Sequence, residues 1–333
     1  MLLFVYTEGM ITYESLAVRP AAFASLSGLS LPAFEALYQD SAAYAQDRQT
    51  LLTRAGKPQR RAAGGGTPFT HDGRTRLLMA LVWLRVYPTY EVLSFFFSLH
   101  KANAQRGVVD VLATLEAHTV FVCERPAEDR KKLRSVQAVM DALPDVRLVI
   151  DAKGQRVQRP GDENDEGNSR QKPFYSGKKA NTLKTQVAVA PDGSFQSVGW
   201  STPGSVHDLT LLRRSDLLHR LPPAEGVMLD KGYDGLQRLD PKDLGKNGPP
   251  HPYHLAHKAR RNRPLTGEQK AFNAHLSKYR IVVEHRLVPM NPFQVLAQVF
   301  RRDNERHSGL LRIVAGLMNR RVAERPLMAY LAV

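Results

Sequence analysis

The chain has 333 residues, 43% hydrophobic and 24% charged, a balance that excludes wholesale disorder and leaves room for a large core and two domains. Lys and Arg number 47 against 32 Asp and Glu, and the formal net charge of +15 favours polyanions, because binding releases counterions condensed on phosphates. The single cysteine, Cys123, excludes an internal disulfide and a thiolate zinc cluster and fits a reducing cytosol; no run approaches the roughly 18 apolar residues of a membrane span.

In chain order, residues 1–53 predict a helical segment, with short helices near Pro20–Ser27 and Leu31–Gln49. MLLFVY is too short for a signal-peptide core and lacks a basic start. Ile11 onward reads as the start of a folded domain, which makes Met10 a second candidate for the first residue. Residues 54–73, rich in Gly, Arg and Lys, read as a basic linker.

Three helices are predicted over 74–120. The first covers Arg74–Val86, with Leu77, Leu81 and Leu84 at helical spacing, and is closed by Pro88. The second runs from Tyr90 to Leu99 and buries Tyr90, Leu93 and Phe97. After a tight break at His100 the third extends to Glu116, burying Val108, Val111, Leu112 and Leu115, with Gly107 a weak point inside it. This is the outline of a helix-turn-helix unit whose third helix would present Lys101, Asn103, Gln105 and Arg106 to a DNA groove. A helical bundle with a solvated polar end has the same pattern.

From Leu148 the pattern changes to alternation. RLVID predicts a short buried strand ending at Asp151, and GDENDEGNSR a solvated acidic loop. LKTQVAVA and SFQSVGWS flank Pro191-Asp192-Gly193 as a β-hairpin. A helix begins near His207, a strand in GVMLD ends at Asp230, and a helix follows Gly232. Residues 240–265 are irregular or extended. A long helix from Thr266 to Leu287 carries an apolar stripe of Phe272, Leu276, Tyr279 and Val283, and a polar stripe of Asn273, Ser277, Arg280 and Glu284.

A carboxylate leaving a buried strand combines rigidity with a hard oxygen donor for Mg²⁺ or Mn²⁺. Each aspartate alone is more often a turn residue or helix cap, and an Arg/Glu pair four apart more often a surface ion pair. Asp151, Asp230 and Glu284 together, on a strongly basic chain, point to a divalent-metal site for in-line phosphoryl displacement. Spacing alone leaves hydrolases of small phosphates open. Lys178 and Lys179 in SGKK are candidate phosphate contacts, with a solvated basic turn as the plain alternative.

The order Asp151, Asp230, Glu284 resembles the triad of DDE insertion-sequence transposases, in the IS-five group and its Harbinger-like relatives. The likeness is carried by LVIDAKGQRVQRP, FYSGKKANTLKTQVAV, PGSVHDLTLL, VMLDKGYDGL, FNAHLSKYRIVVEHRL and IVAGLMN, and by LLMALVWLRVYPTYEVLSFFFSLH near the N-terminus. It implies an α/β fold: a ribonuclease-H-like catalytic domain over 145–325, with a five-stranded mixed sheet, preceded by an all-α helix-turn-helix domain. By the same resemblance Asp151, Asp230 and Glu284 are metal ligands and Arg280 a supporting cation. His207 and Asp208 match a recurrent motif that supports the site or caps a helix. The activity implied is Mg²⁺- or Mn²⁺-dependent cleavage and transfer of DNA strands. The implied partners are terminal inverted repeats, target DNA and further copies of the chain, on the nucleoid of a bacterial cytoplasm. Departures from the pattern are Lys153-Gly154 where relatives continue with Thr-Glu, Asn181 in place of His, Ser277 in place of Tyr and Asn291 in place of Lys. They keep two rivals in view: a metal-dependent endonuclease that no longer transposes, and a catalytically impaired DNA-binding remnant.

Overall fold

The computed structural model describes residues 10–51, 69–118, 146–161, 171–190, 193–215, 217–220, 225–236, 252–259, 261–287 and 290–324, with only the backbone described at 42–51, 219–220, 278–287 and 321–324. Cys123, most of the basic linker and most of the acidic loop lie outside the described residues. The chain divides into two units, Met1–Val120 with Pro292–Val295, and Phe121–Asn291 with Leu296–Val333.

In the first unit the helices begin where side chains can satisfy their open N–H groups. Thr12 and Ser15 form a reciprocal capping box before α1 (Tyr13–Ala17), and Pro20 occupies the first turn of α2 (Pro20–Ser27). After α3 (Leu31–Leu51), Asp72 accepts from the Thr75 amide at 2.9 Å to start α4 (Gly73–Val86), and Thr89 caps α5 (Tyr90–Phe96). Every residue of α4 from Leu77 to Leu84 is buried, so this helix is the centre of the unit. Between α5 and α6 (Lys101–His118) the chain reverses through Ser98, at a φ of 46°. Ala104, Val108, Leu112 and Leu115 turn one side of α6 inward, with Val111 half-buried beside them. A Cβ at Gly107 within that helix would stand 2.8 Å from Met79 Cε, the flexible end of that side chain, which would have to move aside. Arg74 makes three hydrogen bonds to Glu35, two from Nε and one from Nη2, and lies over the Tyr38 ring, and these bonds hold the Glu35 carboxyl below its ordinary pKa.

The second unit is built on a five-stranded mixed sheet of order β3-β2-β1-β4-β5. Its strands are β1 (Val146–Arg156), β2 (Thr182–Val189), β3 (Phe195–Pro203), β4 (Gly226–Leu229) and β5 (Tyr253–Leu255). The first three form an antiparallel meander, while β4 and β5 join parallel to β1. Alternation sends Leu148 and Ile150 to one face, where they pack with Leu212, Leu217, Leu218, Tyr233 and Leu236 beneath α7 (Asp208–Arg214) and α8 (Leu217–Arg220). On β3 packs α10 (His307–Glu324), with Leu310, Leu311, Val314 and Leu317 buried. The long helix α9 (Gly267–Leu287) starts at a second capping box, Thr266 with Gln269. This mixed sheet and its connectivity fit the expected ribonuclease-H-like arrangement.

A chain of buried and half-buried polar groups locks α10 to three strands. Gln155 on β1 donates through Nε2 to the Gln298 carbonyl at 2.9 Å, so its Oε1 must accept from His307 Nε2–H, 2.8 Å away. His307 Nδ1 is then the acceptor for the Ser201 hydroxyl at 2.6 Å, and Ser201 accepts from Thr185 at 2.7 Å. The imidazole is fully buried and neutral in this arrangement; burial, with the Lys153 charge added, pushes its pKa down to about 4. At the far end of α10, Asn319 clamps the start of β3, accepting from the Phe195 amide and donating to its carbonyl.

Candidate active site

Strand β1 is longer than RLVID predicts. It continues to Arg156 because its antiparallel pairing with β2 runs on to Arg156↔Thr182, and Asp151 lies inside that hairpin opposite Val187. On its other side, however, the parallel pairing with β4 stops at Ile150↔Leu229. Asp151 is the next residue on β1, and Asp230 is the first beyond the end of β4. They therefore emerge level with one another where the parallel ladder opens, and both are half-buried. Asp151 Oδ1 accepts from the Ala152 amide at 2.7 Å. After Asp230 the chain makes a short 3₁₀ turn, Lys231–Tyr233; the helix predicted after Gly232 runs on into residues 237–251, which lie outside the described residues.

A third aspartate stands at this turn. Asp208 opens α7 just after His207, whose Nδ1 accepts from the Leu209 amide and caps the helix. Its Oδ1 is 2.9 Å from Lys184 Nζ, and Lys184 also donates to the Val206 carbonyl at 2.8 Å. The other carboxylate oxygen lies against Gly232, so that a Cβ there would collide with it. Glycine in DKGY thus leaves room for the close approach of a charged side chain, which a Cβ would push aside. Tyr233 follows, fully buried, with a hydroxyl that has no hydrogen-bond partner among the described residues. Burial raises the pKa of this phenol, and Asp208, Asp151 and Asp230 raise it further, so all three carboxylates act on it.

Cations flank Asp151. Lys153, two residues on, is half-buried and donates to Asn291 Oδ1 at 3.3 Å, joining two of the departures noted in the sequence. Its pKa is lowered by burial and then by Lys178, against the opposing effect of Asp151. Lys178 and Lys179 lie exposed in a tight turn closed by the Lys179 amide on the Ser176 carbonyl, with Lys179 at a φ of 53°.

The polar stripe of α9 starts at the sheet. Asn273 accepts from the His257 amide at 2.8 Å and returns a bond to its carbonyl at 2.9 Å, just beyond β5. Ser277 bonds back to the Asn273 carbonyl, and Leu276 is buried beside it. Arg280 and Glu284 continue this stripe on the described backbone, but their side chains lie outside the described residues. Lys101, Asn103, Gln105 and Arg106 belong to the other unit and are all exposed on α6. There Lys101 pairs with Glu91 at 3.2 Å, and Arg106 is held by Asn103 at 2.9 Å.

The structure therefore brings Asp151 and Asp230 together and leaves Glu284 to be placed. Two hard carboxylates side by side fit part of a Mg²⁺ or Mn²⁺ site. Among the described residues no three His, Cys, Asp or Glu side chains could hold a metal, so Asp208 does not complete it. A three-carboxylate site needs a further donor such as Glu284.

The model of the DDE superfamily endonuclease family matches residues 150–319, just over half of the chain, from the residue before Asp151 to Asn319. The chain belongs to that family. Endonucleases of this superfamily are generally dependent on divalent metal, which agrees with the paired aspartates. Two curated relatives are insertion-sequence transposases. A probable transposase for insertion sequence element IS702 of Microchaete diplosiphon is 24% identical over 249 residues, covering 74% of this chain and 80% of the relative. The transposase for insertion sequence element IS1106 of Neisseria meningitidis serogroup B is 36% identical over 117 residues, covering 34% and 35%. No solved structure matches. Among the described residues no helix is long and apolar enough to cross a membrane.

Proposed function

We propose that this protein is the transposase of an insertion sequence of the IS-five group, binding terminal inverted repeats and cutting and rejoining DNA strands. The observation that carries this reading is the level placement of Asp151 and Asp230, fixed by the parallel Ile150↔Leu229 pairing, in a chain of the DDE endonuclease family. Asp151, Asp230 and Glu284 are the residues that would hold the metal, with Arg280 one turn before Glu284 as the supporting cation. Divalent cations bound there supply activation of the attacking oxygen and stabilisation of the departing one. The chain's own contribution is to hold Asp151 on a strand and Asp230 at a strand end, and to fix Asp208 away from them on Lys184.

DNA would be gathered by the basic surface of the protein. Three helices with a tight turn before the last support a helix-turn-helix role for the first unit over 74–120. Lys101, Asn103, Gln105 and Arg106 then face the groove from the first turns of α6, opposite its buried side. Lys178 and Lys179 would meet phosphates near β1. The catalytic domain over 145–325 would act in a homo-oligomer on paired DNA ends, on the nucleoid of a bacterial cytoplasm.

The test is strand cleavage of a plasmid carrying the inverted repeats that flank the gene, with Mg²⁺. Asp151→Asn and Asp230→Asn should each abolish nicking while binding to the repeats is kept. Nicking that survives either change sinks the assignment. Strand-transfer products separate a transposase from an endonuclease that only cuts.

A further inference from the structure

Lys153 follows Asp151 by two residues on β1, and strand alternation puts both side chains on one face of the sheet. Its half-buried ammonium has three N–H donors. Among the described residues it makes one hydrogen bond, 3.3 Å to the neutral Oδ1 of Asn291, and no carboxylate stands within ion-pair distance. Lys178 brings a second ammonium to the same stretch of strand, 3.7 Å from the position of a Cβ on Gly154, which alternation puts on the opposite face of the sheet from Lys153. Holding a partly desolvated ammonium with one neutral acceptor is costly unless an anion completes its shell. A free anion would be repelled by Asp151. A phosphodiester is different, because it reaches this face as part of a strand whose neighbouring phosphate is engaged at the aspartates.

We propose that Lys153, seated on Asn291, grips a phosphodiester of the DNA strand next to the one that is cut. This rests on the reading of Asp151 and Asp230 given above. Asn291 acts here as a positioning residue: its amide oxygen takes one ammonium proton and leaves the other two for phosphate oxygens.

The experiment uses the full chain and a duplex carrying the inverted repeat that flanks the gene, with binding followed over a range of salt and nicking followed in Mg²⁺. Lys153→Gln keeps a donor for Asn291 and removes the charge. It should weaken binding on the order of tenfold and make the slope of log affinity against log salt shallower by about 0.9, the loss of one phosphate contact. Lys153→Arg should restore both quantities. The exchange Lys153→Asn with Asn291→Lys, which returns an ammonium from the other side of the same bond, should recover much of the binding. Unchanged affinity and slope in Lys153→Gln, or an arginine variant no better than the glutamine one, overturns the proposal. A wild type that binds the duplex but never nicks it overturns the reading of the aspartates instead, and the salt slope still decides whether Lys153 meets a phosphate.

Discussion

Lys184 on the central hairpin and Asp208 at the head of α7 are joined by an ion pair of 2.9 Å, and the far oxygen of that carboxylate rests on Gly232 in the turn after Asp230. One ion pair thus links β2, the loop before α7 and the segment that carries a proposed metal ligand. Both side chains are about a quarter exposed, at 22% and 25%, so the pair belongs between the weak surface class and the fully buried one. Asp208→Asn and Lys184→Met should each cost on the order of 2 kcal/mol in urea unfolding, with much less than additive loss in the double variant. Additive losses would show that the two groups do not act on one another. Gly232→Ala should cost about as much through overpacking against the carboxylate, and should lower nicking because the Asp230 turn must move.

Tyr233 gives a prediction of opposite sign. A buried hydroxyl with no partner among the described residues is a cost, so Tyr233→Phe should raise stability by about 1 kcal/mol at neutral pH. A loss instead would reveal a partner for the hydroxyl. In the wild type the raised phenol pKa also makes the fold sensitive to alkali. The unfolded chain releases this proton near pH 10 while the fold retains it, so stability present below pH 10 falls as the pH rises further. The phenylalanine variant should lack that contribution, which unfolding curves on both sides of pH 10 would show.

His307 sets an acid limit. Its pKa is lowered from 6.5 to about 4, first by burial and then by the charge of Lys153. Between those values the unfolded chain takes up a proton that the fold refuses. The contribution is therefore complete above pH 6.5 and is lost as the pH falls toward 4, a change on the order of 3 kcal/mol. Urea midpoints measured across that window should fall steeply. His307→Gln should be less stable at neutral pH and show a smaller fall; an unchanged slope would place the titration elsewhere.

The level aspartates predict a reciprocal effect of metal and charge. Saturating Mn²⁺ or Mg²⁺ should raise the melting temperature of the wild type, a stabilisation of about 2.7 kcal/mol at a concentration one hundred times the dissociation constant. Asp151→Asn and Asp230→Asn should lose most of that shift, yet melt no lower than wild type in chelator, because each removes one of two neighbouring like charges. Equal metal shifts in all three proteins would place the cation elsewhere, and a large drop in chelator would make the aspartates structural.

Much of the helical unit is legible in the sequence because its signals are local. Pro20, Asp72 and Thr89 start helices through their own backbone chemistry, and the elements fall at Pro20–Ser27, Gly73–Val86 and Lys101–His118, close to the predicted spans. The strands around Asp151 and Asp230 are likewise visible as apolar runs, but the end of β1 is not. Its pairing with β2 carries it past Asp151, and no residue of RLVIDAKG announces that the parallel side opens at Ile150. Strand ends depend on a partner, and the partner is distant in the chain.

The sequence by itself determined the charge, the helical spans, the order of the acidic residues and the family to which the chain belongs, since each rests on residue type or short-range spacing. Only the tertiary structure decided that Asp151 and Asp230 stand level, that Asp208 is tied to Lys184 and packed on Gly232, and that Lys153 reaches Asn291. Those relationships come from strand register and from contacts between segments far apart in sequence, where no local periodicity carries a signal.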